Sequence, residues 1–372
     1  MSLIMAGTDH VAKKLNDIQQ AILNRDQSSR YSLQKLFSSE TFDLSHFSRQ
    51  FLASPNLQPL TTATRAFCDQ YQISLPTTEQ YLSCAMFLFP GADISRGINL
   101  GKLYAVDFYL NDLMGREVFT KEPGWQSPVF SNLKTFLSML RRKFVLRPSP
   151  SLVEIANFEA LQGIASASES QWFERFLNLY CDHIDAAHQV HGISPDDATL
   201  SVADYMEQRC NISGMPHTVA CIEFSTGVFL DYQVLADRGL LADLSKMQRT
   251  VALIGCLLND FFSFEKEVMD ASCMSNLLTV VAINYYEFSL PEIIEISAKI
   301  IRDLYTEFNH LWGRLQAFIG RNQSGDILLP QDLSLHLNGL KQCLQACWTW
   351  QLYTSRYKRI SSIWVETNLE PE

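Results

Sequence analysis

Helical periodicity is the feature of this sequence that most constrains its fold. Along most of the chain, apolar residues recur at spacings of three and four, and the two-residue alternation of strands is nearly absent. The helical stretches cover residues 10–24, 60–73, 100–118, 130–144, 152–164, 169–190, 199–212, 218–237, 243–269, 276–288, 290–319 and 333–359. Short segments containing Gly or Pro separate them. The sequence therefore predicts an all-α, single-domain helical bundle.

The domain organisation follows from the same pattern. No internal repeat and no long low-complexity linker divides the 372 residues. Residues 1–50 are less regular than the rest, so we expect a helical or irregular N-terminal segment packed on a domain that spans 51–372. Charged residues make up 19% of the chain, below the roughly 25% of an average soluble domain. A large buried core is expected.

Charge and cysteine usage narrow the function. The net charge of -10 argues against a nucleic-acid partner and favours a cationic one such as a metal. The nine cysteines occur singly, without the spacing of a metal site, and are predicted to be reduced core thiols. The first residues lack the pattern of a signal peptide, and no apolar run reaches the roughly 18 residues of a membrane span. These features predict a cytoplasmic protein without a membrane span.

A polar stripe interrupts the most apolar helix. In the segment "LLNDFFSFEKEV", Asn259, Ser263 and Glu267 recur every four residues and so share one helix face. An unpartnered buried polar group costs about 1–3 kcal/mol, so these side chains need partners. They either hydrogen-bond to one another and to a neighbouring helix, or bind a hard cation, since carboxylate, amide and hydroxyl oxygens suit magnesium or manganese.

This stripe belongs to a segment that resembles a known motif. "NDFFSFEKE" is similar to the second metal-binding motif of class I terpene synthases, the NSE triad, and Lys266 stands where the family often has a Lys. About fifty residues upstream, "YMEQRCNISGMP" resembles the diphosphate sensor of that family, with Arg209 at the sensor position. Ser213 and Gly214 match the helix break called the effector region, although Ile212 replaces the Asp that the family often has.

The C-terminal segment carries a third resemblance. In "WTWQLYTSRYKR", Trp350, Thr354, Arg356 and Tyr357 reproduce the W-x-x-x-T-x-R-Y ending of the family, about a hundred residues after the NSE triad. An Arg-Tyr pair is common by itself, but the order and spacing of the three motifs are specific. The resemblance covers roughly residues 85–360, and the chain length is similar to that of the microbial single-domain type.

The first metal motif departs from the pattern of the family. The family has an adjacent Asp pair with a further acid, whereas "YAVDFYLNDLMGRE" offers Asp107, Asn111, Asp112 and Glu117. Asp107 can pair with Asp112, or Asn111 and Asp112 with Glu117, and the distance to Arg209 favours Asp112 as the leading ligand. A solvated acidic helix end is the alternative, but "LYAVDFYL" is too apolar for an exposed face.

The resemblance implies a helical fold with a central active-site cavity and a complete set of site residues. Three magnesium ions, or manganese in their place, would be bound by Asp107, Asn111, Asp112, Asn259, Ser263 and Glu267. The diphosphate would be held by Arg209, Lys266 and Arg356, with Tyr357 closing the site and Ser213 and Gly214 forming the effector region. Phe108 and Trp350 would line the cavity and stabilise a carbocation through their π-faces.

The implied reaction is the ionisation of a linear prenyl diphosphate, farnesyl or geranylgeranyl diphosphate, followed by cyclisation and release of diphosphate. The implied assembly is a monomer or a homodimer. One alternative is a chain-elongating prenyl diphosphate synthase, but those enzymes resemble one another by two intact DDxxD motifs, which this chain lacks. The other is a non-catalytic helical binding protein derived from a synthase.

Overall fold

The computed structural model describes residues 2–26, 29–74, 82–114, 128–187, 200–270, 275–321 and 328–370. Its helices are α1 (Ser2–Leu23), α2 (Leu33–Phe37), α3 (Leu44–Ser48), α4 (Leu57–Gln70), α5 (Cys84–Leu88), α6 (Ile94–Met114), α7 (Pro128–Lys143), α8 (Leu152–Ser166), α9 (Ser170–Ala187), α10 (Val202–Ile212), α11 (Met215–Thr226), α12 (Tyr232–Asp237), α13 (Leu241–Glu265), α14 (Leu277–Asn284), α15 (Leu290–Arg321) and α16 (Leu328–Tyr353). A π-helical turn, Lys266–Asp270, extends α13, and 3₁₀ turns lie at Ser355–Tyr357 and Val365–Thr367. Two short strands, β1 (Arg359–Ile360) and β2 (Asn368–Leu369), pair in parallel. The all-α prediction is confirmed.

Helix α13 forms the centre of the bundle. It packs against α10, α11, α15 and α16. From Thr250 to Glu265 every side chain is buried except that of Asn259, which is partly buried. A helix that is apolar on all sides belongs inside a protein rather than at its surface. The polar stripe is therefore carried by the innermost helix.

Two of the differences from the predicted helices have a clear local cause. The predicted helix over 218–237 is two helices, because Gly227 adopts φ 71° at the end of α11, where an added Cβ would lie 2.8 Å from Arg96 Nη2. The predicted helix over 333–359 ends at Tyr353, where the Thr354 hydroxyl accepts a hydrogen bond from the Arg356 amide. The chain turns at this cap, so Arg356 and Tyr357 follow a new direction.

The N-terminal residues pack on the core beside α13. The Phe37 ring meets Phe261 of α13 edge-on, with centroids 4.8 Å apart. The Tyr31 backbone pairs with the C-terminal tail, donating to the Ile363 carbonyl and accepting from the Val365 amide, each at 2.9 Å. Phe37 and Trp364 of the tail therefore both pack on Phe261 of α13. Among the described helices, none combines the length and apolarity that crossing a membrane requires.

Candidate active site

A cavity of about 540 Å³ lies between α6, α9, α10, α11, α13 and α16. Its size is within the range of small-molecule sites. The site residues implied by the resemblance all line it: Asp107, Phe108, Asn111, Asp112, Arg209, Ser213, Gly214, Asn259, Ser263, Lys266, Glu267, Trp350, Arg356 and Tyr357. Glu117, the further acid of one alignment, lies outside the described residues. Motifs separated by up to 250 positions thus meet around one space.

Helix α13 and its π turn line the cavity with one stripe. Gly255, Asn259, Ser263 and Glu267 follow one another at steps of four, and all four line the cavity. At a rise of about 1.5 Å per residue, the stripe is roughly 18 Å long. It begins with a residue that has no side chain and ends with a carboxylate. The cavity therefore has a polar end and an end without charge along this helix. The π turn contains Glu267, and such turns are frequent at functional sites.

Part of the cavity wall is formed by neutral side chains. Burial raises the pKa of the Cys84 and Cys256 thiols, so both stay protonated near neutral pH. Burial also raises the pKa of Tyr104, whose hydroxyl donates to Thr218 Oγ1 at 2.7 Å. A wall without charge suits a hydrocarbon chain, because no polar group is desolvated without a partner when the chain binds.

Two aromatic side chains lie next to the acidic motif of α6. The rings of Phe108 and Trp350 have centroids 5.8 Å apart and are tilted by 43°. Both residues line the cavity. π-faces can stabilise a positive charge on a ligand without capturing it chemically.

The NSE residues have well-defined partners. The Asn259 amide group donates to the Tyr357 hydroxyl at 2.7 Å and to Gln351 Oε1 at 3.3 Å. Ser263 Oγ donates its proton to the Asn259 carbonyl at 2.7 Å, so its lone pairs remain to bind a cation. Asn276 donates to Glu267 Oε2 at 2.8 Å, as outer-shell partners of metal ligands do. The atoms that Asn259, Ser263 and Glu267 offer to a metal are all oxygens, which suit a hard divalent cation.

Arg209 forms a buried ion pair that the sequence analysis missed. Its Nε donates to Asp260 Oδ1 at 2.8 Å, and its Nη2 donates to Asn259 Oδ1 at 2.9 Å. The Tyr205 hydroxyl donates to the other oxygen of Asp260 at 2.5 Å. The side chains of Arg209 and Asp260 are 7% and 0% exposed. The sequence offered one signal for this ion pair, an acid, Asp260, directly after Asn259. Tyr205 and Arg209 are four residues apart, so they share the face of α10 that meets Asp260.

The acids of the first motif have separate partners. Asp112 accepts two hydrogen bonds from Arg356, at 2.8 and 3.4 Å, and Asn111 Nδ2 lies 3.4 Å from Asp112 Oδ1. Asp107 Oδ2 lies 3.1 Å from His217 Nε2. The Arg-Tyr pair therefore spans both metal motifs, because Arg356 contacts Asp112 while Tyr357 contacts Asn259.

The break between α10 and α11 depends on Gly214. This residue adopts φ 74°, in the left-handed region that glycine tolerates best. Its carbonyl accepts hydrogen bonds from the Thr218 amide and hydroxyl, both at 3.0 Å. The Ser213 hydroxyl donates to the Cys210 carbonyl at 2.7 Å. The helix break at Ser213 and Gly214, expected from the sequence, is present and lines the cavity.

Replacing Gly214 with alanine should lower the free energy of unfolding more than the same change at Gly239. Both glycines have positive φ, which costs an alanine about 1–2 kcal/mol. A Cβ at Gly214 would also lie 2.8 Å from His217 Cε1, whereas one at Gly239 meets nothing within 4 Å. Such overpacking adds about 1–3 kcal/mol. Urea denaturation of both variants measures the difference, and equal losses would contradict the close packing at Gly214.

Comparison with known proteins shows similarity to terpene synthases. Residues 130–307 match the family described as "Terpene synthase family 2, C-terminal metal binding". The chain is 21% identical over 301 residues to "Terpene synthase 6" of Dictyostelium discoideum, covering 78% of each chain. It is 23% identical over 290 residues to "Terpene synthase 1" of Dictyostelium purpureum, covering 77% of this chain and 72% of the relative.

Solved structures share the fold at low identity. Germacradien-4-ol synthase from Streptomyces citricolor superposes with a TM-score of 0.68 at 14% identity, covering 87% of this chain and 100% of that one. Linalool/Nerolidol synthase from Streptomyces clavuligerus superposes with a TM-score of 0.67 at 13% identity, covering 81% and 97%. The architecture is thus that of the class I terpenoid synthases.

The family match and the fold agree with each other. Residues 130–307 match a terpene synthase family, and the chain has the fold of solved terpene synthases, in agreement with the resemblance of its motifs. The description of the matched family implies a divalent metal site in this region of the chain. The matched region contains the sensor and the NSE triad but begins after the divergent first motif.

Proposed function

We propose that the protein catalyses the magnesium-dependent ionisation and cyclisation of farnesyl or geranylgeranyl diphosphate, with release of diphosphate. The observation that carries this proposal is the composition of one cavity. Oxygen donors and the cationic residues Arg209, Lys266 and Arg356 line it together with a neutral wall and the π-faces of Phe108 and Trp350. A molecule with an anionic head and a long apolar tail fits both parts.

The position of these residues in the cavity supports the metal ligands that we propose. Asn259, Ser263 and Glu267 form the second site, and Asn111 and Asp112 supply the first, with Asp107 one turn earlier on the same helix. When bound, three magnesium ions, or manganese in their place, would neutralise the charge of the diphosphate and polarise the bond that breaks. The oxygen-only donor sets favour these hard cations over softer ones.

The cationic residues hold and orient the diphosphate. Arg356 is paired with Asp112, and Arg209 with Asp260 and Asn259. Guanidinium groups form strong charge-assisted hydrogen bonds with phosphate oxygens, and Lys266 adds a further charge beside Glu267. Because Arg356 and Arg209 each contact a metal donor, their positions and those of the donors are coupled. Diphosphate and metal binding should therefore reinforce each other.

The hydrocarbon chain then reacts in the neutral part of the cavity. After the diphosphate leaves, the positive charge on the chain is stabilised by the rings of Phe108 and Trp350. Gly255 and the neutral thiol of Cys256 leave room for the chain to fold. Tyr357, held by Asn259, closes the polar end and excludes water that would capture the cation. Ser213 and Gly214 place a helix end beside the substrate, where its backbone dipoles act on the developing charge.

Incubation with geranyl, farnesyl and geranylgeranyl diphosphate, with and without magnesium, tests this function. We expect cyclic terpenes from the fifteen- or twenty-carbon substrate, only with magnesium, by gas chromatography with mass spectrometry. Isopentenyl diphosphate is added in a parallel series. A longer prenyl diphosphate formed only in that series would assign the protein to chain elongation. If linear alcohols were the only products, the reaction would be ionisation without cyclisation.

The packing of the N-terminal residues supports a proposal on the domain organisation. We propose that residues 1–50 form an N-terminal segment that belongs to the same folding unit as the catalytic domain over 51–372. The contact of Phe37 with Phe261 and the pairing of Tyr31 with the C-terminal tail support one cooperative unit.

A further inference from the structure

Two histidines stand against Asp107 in the wall of the cavity, outside the set of predicted site residues. His183 lies on α9 and His217 on α11, while Asp107 lies on α6. All three residues line the cavity. One ligand atom from each side chain lies within 4.8 Å of the other two. Three helices thus bring two imidazoles and a carboxylate to one point.

His217 is buried, Asp107 and His183 are partly buried, and the His217–Asp107 pair is incompletely hydrogen-bonded. The His217 side chain is 1% exposed and that of Asp107 is 12% exposed. His217 Nε2 and Asp107 Oδ2 are 3.1 Å apart, but buried Asp107 Oδ1 and His217 Nδ1 have no hydrogen-bond partner. A buried polar atom without a partner is costly unless a ligand supplies one. Asp107 Oδ1 and His217 Nδ1 are therefore available to contact a bound ligand.

The chain makes room for both imidazoles at the helix break. The position that a Cβ of Gly214 would occupy lies 2.8 Å from His217 Cε1 and 3.2 Å from His183 Nε2. Any larger residue at this position would displace the rings. The two rings have centroids 5.0 Å apart and are tilted by 41°. The absence of a side chain at Gly214 therefore permits the approach of His183 to His217.

We propose that Asp107, His183 and His217 form a second kind of metal site, which binds a first-row transition cation of the zinc class. Imidazole nitrogen suits zinc, iron and cobalt, whereas the NSE triad offers oxygen only and suits magnesium. Two tetrahedral ligands bound at about 2.0–2.1 Å are about 3.4 Å apart, so atoms that now lie within 4.8 Å of one another must move closer by up to about 1.4 Å. Three protein ligands leave a coordination position open toward the cavity.

In this proposal, Asp107 and Asp112 bind different metal ions. Asp112 and Asn111 remain with the hard cations, while Asp107, about one turn earlier on α6, binds together with the two histidines. The divergent first motif, which lacks an adjacent Asp pair, is explained by this division of ligands. The inference concerns metal binding and does not depend on which prenyl diphosphate reacts.

Titration with Co²⁺, a spectroscopic substitute for Zn²⁺, tests the site on the full-length protein. We expect one Co²⁺ per chain with the strong visible absorption of four- or five-coordination, displaced by Zn²⁺ but not by Mg²⁺. The variants His183→Gln and His217→Gln should weaken binding at least about 100-fold, the upper end of what an outer-shell partner alone contributes. Asp107→Asn, which keeps the size of the side chain, should weaken it as well.

Two controls separate this site from other metal-binding groups. His310→Gln changes an exposed histidine on α15 and should leave the titration unchanged. Glu267→Gln alters the hard-cation site and should also leave it unchanged, even if it abolishes turnover. Circular dichroism confirms that each variant folds. The proposal would be wrong if Co²⁺ did not bind stoichiometrically, or if its spectrum persisted in both folded histidine variants. Asp107 and His217 would then form only a hydrogen-bonded pair.

Discussion

Replacing Asn259 or Glu267 with alanine is expected to lower kcat by roughly 10³-fold, because each change removes an oxygen donor from the proposed magnesium site. Metal ions contribute several kcal/mol of charge stabilisation to such reactions, and each 1.36 kcal/mol corresponds to tenfold in rate. Diphosphate release and terpene formation, measured over a range of magnesium concentrations, give the effect. The variants should also need more magnesium to reach half of their remaining rate.

The conservative change Glu267→Gln keeps the hydrogen bond from Asn276 while removing the negative charge. It therefore separates loss of the metal donor from loss of packing. Glu287→Gln is the matched control, because Glu287 is an exposed glutamate beyond the cavity, and its activity should equal that of the wild type. If Glu267→Gln kept full activity at low magnesium, the metal would be bound without the NSE triad and the assignment would be wrong.

Replacing Asp260 with alanine is expected to lower the free energy of unfolding by about 3–5 kcal/mol, the usual cost of leaving one partner of a buried ion pair alone. Arg209 is only 7% exposed, so water cannot readily replace the lost carboxylate. The Tyr205 hydroxyl loses its acceptor in the same variant. Urea denaturation followed by circular dichroism measures the change.

The same two helices provide the control. Glu207 of α10 pairs with Arg249 of α13 on the surface, with side chains 59% and 47% exposed. Glu207→Ala should therefore cost no more than about 1 kcal/mol, as exposed pairs do. A comparable loss in both variants would show that the connection between α10 and α13, rather than burial of the charge, determines the cost.

The sequence predicts those parts of the site whose residues recur at a regular spacing or stand close together in a motif. Asn259, Ser263 and Glu267 were visible because steps of four residues place side chains on one face of a helix. The ending with Arg356 and Tyr357 was visible because its spacing is similar to that of a known family. Periodicity also predicted the helices themselves, although Gly227 divides one of them through its backbone conformation.

Contacts between helices were beyond the reach of such patterns. Asp260 lies next to Asn259, yet its partner Arg209 is 51 positions away, and no local rule sets the rotation of α10 against α13. His183 and His217 meet Asp107 only because three helices cross at one place. Nor does periodicity reveal that Phe37, in the least regular part of the chain, packs on Phe261 of the central helix. The volume of the cavity likewise depends on how side chains from different helices meet.

The pairing of Tyr31 with Ile363 and Val365 has a practical consequence for shortened versions of this enzyme. A chain that began at residue 51 would keep every residue assigned to catalysis, so by motif content it would look complete. It would nevertheless lose the backbone pairing that holds the tail just beyond Arg356 and Tyr357. Removing the first fifty residues would therefore act on the active site through its last ones, and a poorly active short form would say little about the catalytic residues themselves.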